Sequence, residues 1–99
     1  MMPDATLHVI AAHRAEILAL AAQYGATNVR VFGSVARGEA KPTSDLDLLI
    51  KMDESRSLLD YVALMQDLED LLGYSIDLVN EPDLYPAIRE RVLAEAMPL

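Results

Sequence analysis

Cysteine is absent from this sequence. That excludes a disulfide framework and a thiolate metal site, and leaves the chain indifferent to redox compartment. No stretch approaches the roughly 18 consecutive apolar residues of a membrane-spanning helix. The opening Met-Met-Pro-Asp-Ala-Thr lacks the basic and apolar regions of a secretory signal. A cytoplasmic protein with no membrane association is the simple expectation. Positive charge is also scarce: eight Lys and Arg stand against sixteen Asp and Glu, a net charge of −8. Nucleic-acid binding needs a basic surface, so direct nucleic-acid partners are set aside. An acidic surface keeps a protein soluble and can also cover a basic partner.

What remains is 99 residues with 53% hydrophobic content, enough for a single domain over 1–99 and too little for two. Apart from an alanine bias there is no low-complexity segment, and no internal repeat. Thr6 is placed to cap a helix running to about Tyr24, with Leu7, Ile10, Ile17, Leu18 and Ala21 on one stripe and Gly25 as its stop. His8 and His13 are five apart, so they miss the i, i+4 spacing of a helical metal site. Asn28–Phe32 reads as a strand interrupted by Arg30, whose expected place is an edge position with a solvated head. Ser57 can cap a helix whose buried stripe is Leu58, Tyr61, Val62, Met65, Leu68 and Leu72, ended by Gly73. Ser75–Val79 reads as a strand, and Pro86 suits the first turn of a last helix.

The chemistry lies between the first two strands. Phe32-Gly33-Ser34-Val35-Ala36-Arg37-Gly38 reads as strand, turn and short helix. Lys41-Pro42-Thr43-Ser44 is a turn that Ser44 shapes, and Asp45-Leu46-Asp47-Leu48-Leu49-Ile50 opens a second strand running to Met52. Residues two apart in a strand project together, so Asp45 and Asp47 share a face at roughly 7 Å between Cα atoms. Leu46, Leu48 and Ile50 face the other way. Two carboxylates this close raise one pKa unless a cation lies between them, and a hard divalent ion such as Mg²⁺ suits them. A glycine after an apolar strand lets the backbone approach a ligand, and the N–H groups of the turn favour phosphate. Arg30, Arg37, Lys41 and Lys51, half of the basic residues, fall in this region. The combination suggests a metal-bound nucleoside triphosphate.

Gly33-Ser34, ten residues, then Asp45-Leu46-Asp47 resembles the signature of the polymerase-β-like nucleotidyltransferase superfamily. The flanking residues and the later Ser75-Ile76-Asp77-Leu78-Val79 are similar to its minimal nucleotidyltransferase branch, whose members commonly act as antitoxins to HEPN-domain ribonucleases. The resemblance implies an α/β fold: a small mixed sheet with helices packed on one face, the two carboxylate strands adjacent, and the other face open to nucleotide and metal. It also implies transfer of AMP from ATP to a tyrosine hydroxyl of a cognate HEPN toxin, in a hetero-oligomer with that toxin. Asp45 and Asp47 would hold Mg²⁺, Gly33 and Ser34 the β- and γ-phosphates, and Arg37 a nearby anion. Asp77 would bind a second metal or take the proton of the attacking hydroxyl. Two other functions fit the residues: a binding module that silences its partner by covering it, and a small-molecule nucleotidyltransferase completed by a partner subunit.

Overall fold

In the strand Leu46–Met52, Leu46, Leu48 and Ile50 point to one face and are buried there completely or nearly so. The rest of the fold is assembled against that face. The structure is a computed structural model, describing the backbone of residues 3–39, 41 and 44–99 and side chains from Leu7 onward among these. In chain order it contains α1 (Pro3–Ala12), α2 (Arg14–Gln23), β1 (Ala26–Phe32), α3 (Gly33–Ala36), β2 (Leu46–Met52), α4 (Leu58–Leu72), β3 (Ile76–Asn80), a 3₁₀ turn (Glu81–Asp83), α5 (Pro86–Glu95) and β4 (Met97–Pro98).

The strands form one mixed sheet in the order β3-β2-β1-β4. β1 runs antiparallel to both β2 and β4, and β2 runs parallel to β3 through the α4 crossover. Ile17 and Ala21 of α2, with Leu64, Leu68 and Leu72 of α4, pack with the inward residues of β1, β2 and β3 into one core. The Tyr24 hydroxyl donates to Asp67 at 2.6 Å and ties the end of α2 to α4. α4 starts on a reciprocal cap between Ser57 and Asp60 and ends at Gly73 in the left-handed region, φ +74°. The expected α/β fold and the adjacency of the two carboxylate strands are both present.

Several local expectations need correction. The first helix is two: α1 begins at Pro3, upstream of Thr6, and the chain breaks at His13 before α2. The His13 backbone N–H is shared between the Val9 and Ile10 carbonyls, and its Nδ1 lies 2.9 Å from Val9 O. Those contacts turn the helix at a point that an unbroken apolar stripe does not mark. β1 starts two residues early and carries an irregularity between Thr27 and Arg30, with Asn28 at φ +54°. Beyond it Val29 and Val31 join the core, and Arg30 between them is buried on the opposite face.

Arg30 is therefore neither at an edge nor solvated. It is 8% exposed, β4 lies beside it, and its guanidinium donates to Glu81 at 2.5 Å. Arg89 also reaches Glu81, at 3.2 Å. The 3₁₀ turn and α5 are thereby fastened to the sheet face opposite the main core. Pro42 and Thr43 of the expected turn lie outside the described residues. Its ends are joined by Ser44 N–H to Lys41 O and Lys41 N–H to Ser44 Oγ, each at 2.9 Å.

Candidate active site

The parallel register sets Asp47 directly beside Asp77, and the antiparallel register sets Phe32 beside Asp47. Three neighbouring strands thus align Phe32, Asp47 and Asp77 in one row, and the Gly33 turn leaves the sheet at its end. Leu46, Leu48, Ile76 and Leu78 occupy the opposite face, so burial of the leucines fixes where the carboxylates point. Asp45 immediately precedes β2 and is exposed, and Asp77 is exposed while Asp47 is half-buried. Among the described residues, no three metal-ligating side chains already converge.

Asp47 feels this arrangement most. Partial burial, then the charge and hydrogen bond of Asp77, then the charge of Asp45, push its carboxyl up to about 6, against a small opposing effect of Arg37. The carboxylate repulsion expected between Asp45 and Asp47 is therefore present, but Asp77 across the strand pair is the stronger partner. A carboxylate pair that needs a shared proton to coexist is a donor set that suits a divalent cation.

Gly33 is required here before any ligand is considered. Its φ is +76°, and a Cβ built on it would lie 2.0 Å from Asp47 Oδ2. The backbone approaches the carboxylate, not only a prospective phosphate. Ser34 is half-buried in the first turn of α3, and Arg37 stands one turn later. The Arg37 guanidinium donates to Glu39 at 2.9 Å and to both oxygens of Glu95 at 3.2 Å.

Two features had no local signal in the sequence. Glu95 Oε2 accepts the Gly33 N–H at 2.7 Å from a position 62 residues away. Beside Asp77, a hollow of about 270 Å³ is lined mainly by Phe32, Val79, Leu84, Tyr85, Ile88 and Val92. A larger hollow of about 600 Å³, bordered by Gly25, Thr27, Lys51 and Arg56, lies at the other ends of β1 and β2, away from the carboxylates. The structure brings together Gly33, Arg37, Asp47 and Asp77, with Ser34 and Asp45 at the margin.

The nucleotidyltransferase domain family matches residues 16–98. A protein adenylyltransferase of Thermococcus cleftensis, MntA, is 40% identical over 89 residues, 90% of this chain and 87% of its own length. A candidate protein adenylyltransferase of Methanocaldococcus jannaschii is 38% identical over 82 residues, 83% and 88% of the two chains. Among solved structures, a candidate minimal nucleotidyltransferase superposes with a TM-score of 0.86 at 54% identity, covering 94% of this chain and 95% of that one. A chain of a toxin–antitoxin complex solved with AMP-PNP shares the fold at 20% identity, TM-score 0.71, over 84% of this chain and 68% of its own. With the Gly33 turn and the carboxylate row in place, these likenesses converge, and the chain belongs to the nucleotidyltransferase domain family, in its minimal branch.

Proposed function

We propose that this chain transfers AMP from ATP to a tyrosine hydroxyl of a HEPN-domain toxin, acting as the antitoxin of that pair in a Mg²⁺-dependent reaction. The observation that carries the reading is the Asp47–Asp77 pair, set against the Gly33 turn and bordered by an apolar hollow. The relatives described as protein adenylyltransferases support a protein acceptor, and the toxin–antitoxin likeness supports a toxin as that acceptor.

Each residue has a derivable part. The backbone at Gly33 and Ser34 receives the β- and γ-phosphates through N–H donors, with Arg37 adding positive charge. The hollow seats the ring of the acceptor, whose hydroxyl then meets Asp77 at the polar rim. An aromatic hydroxyl fits an apolar hollow ending in a carboxylate better than the short serine or threonine side chain does. Asp77 takes the hydroxyl proton as the oxygen attacks the α-phosphorus, and the bond to the pyrophosphate oxygen breaks in line. Asp45 and Asp47, with Asp77 adjacent, would hold Mg²⁺, which when bound supplies positive charge to the triphosphate and the departing pyrophosphate.

The test is intact-mass measurement of the candidate toxin after incubation with this protein, ATP and Mg²⁺. The expected result is a mass increase of one or more AMP groups, abolished by Tyr→Phe at the acceptor. Modification of serine or threonine alone, or none, would contradict the assignment.

A further inference from the structure

The donors that a phosphate would need at the Gly33 turn are already held by an anion of the chain itself. Glu95, on the last turn of α5, accepts the Gly33 N–H at 2.7 Å and sets both oxygens 3.2 Å from Arg37. Its side chain is only 19% exposed, so the contact is partly screened from water. Its position is imposed from both directions along the chain. α5 is tied to the sheet through Arg89 and Glu81. Immediately after Glu95, β4 pairs with Arg30 and Val31, and the Leu99 N–H bonds Val29 O at 3.0 Å.

We propose that Glu95 is a built-in competitor of the nucleotide. It is an internal carboxylate that must leave Gly33 and Arg37 before a phosphate group can take its place. The inference rests on the reading of this turn as the triphosphate site. A single N–H supplies one strong hydrogen bond, so carboxylate and phosphate exclude one another there. Were Glu95 to stay nearby, its charge would repel the ligand across a short distance. Arg37 is built for the exchange, because Glu39 holds its Nε at 2.9 Å and keeps the guanidinium in place when Glu95 leaves.

Two consequences follow. Without nucleotide, the Gly33 turn has a satisfied donor and holds its shape. After transfer, return of Glu95 opposes retention of pyrophosphate, which offers fewer contacts than the intact nucleotide.

Calorimetric titration of ATP with Mg²⁺ into the wild-type protein and Glu95→Gln tests this, with thermal melting as the check on folding. Gln keeps the size and an acceptor oxygen but removes the charge. The expected result is tighter ATP binding, by about tenfold, for loss of one like charge beside a partly screened anion site. If Glu95→Gln does not fold, Glu95→Ala serves: it removes both the acceptor and the charge, and ATP should again bind more tightly than to wild type. Equal or weaker binding by the folded variants, with wild type binding ATP, would overturn the proposal and leave Glu95 as a brace of the turn. Absence of ATP binding in every protein would instead overturn the nucleotide reading itself, and the proposal with it.

Discussion

Asp47 pays for its position in charge. Its carboxyl titrates near 6 when folded, against 3.8 for the free side chain. Between those values the native state binds more protons than the unfolded chain. The stabilising contribution is therefore complete below pH 4 and is lost as pH rises through 6. Asp47→Asn removes this dependence. At pH 7.5 without metal it should be more stable than wild type by on the order of 1 kcal/mol, after allowance for solvent screening of a half-exposed group. At pH 4 the two should melt together. Melting curves across pH check this, and an equal difference at both pH values would contradict it.

Gly33 makes a second claim at this scale. Any side chain there meets Asp47 Oδ2 and must adopt φ +76°. Gly33→Ala should cost roughly 1–2 kcal/mol of stability and reduce nucleotidyl transfer more than Ser34→Ala does. Denaturant melts and a transfer assay rank the two, and greater damage from Ser34→Ala would place the phosphate contact on the hydroxyl instead.

At the scale of elements, much of the candidate site's local geometry was legible because its parts are local. The Gly33 turn, the Gly73 stop and the inward leucines flanking Asp47 are each written within a few residues and stand where expected, whereas Asp45, expected to open β2, lies just before it. What was not legible depends on partners far along the chain. β4 is two residues, one a proline without an N–H, and it counts as a strand only because β1 lies beside it. Arg30 looked like an exposed interruption because Glu81, its partner, is 51 residues away. A separation of 62 residues hid Glu95 from Gly33 in the same way.

The Arg30–Glu81 pair carries its own prediction. It fastens the 3₁₀ turn and α5 to β1, and Arg30 is nearly buried. Arg30→Ala leaves Glu81 short of a charged donor and opens space in the sheet face. It should cost about 2–3 kcal/mol in urea unfolding, whereas a change within a few tenths would show that Arg89 alone suffices as the anchor.

For the whole molecule, the sheet has two faces with different work. One is closed by α1, α2 and α4 over a continuous core, and the other carries Asp47 and Asp77 with α5 along its border. No helix among the described residues is long and apolar enough to cross a membrane. The net charge of −8 leaves an acidic exterior, with Arg37 set between Glu39 and Glu95 beside the Gly33 turn.

The central claim is that the partner is silenced by chemistry rather than by being covered. The most direct measurement incubates a molar excess of the toxin with a small amount of this protein, ATP and Mg²⁺, then removes this protein and assays ribonuclease activity. The account predicts lasting inactivation of the excess toxin with AMP attached, and none with the Asp45→Asn/Asp47→Asn double variant. Protection that needs stoichiometric protein, proceeds without ATP, survives the double substitution and reverses on removal would contradict it.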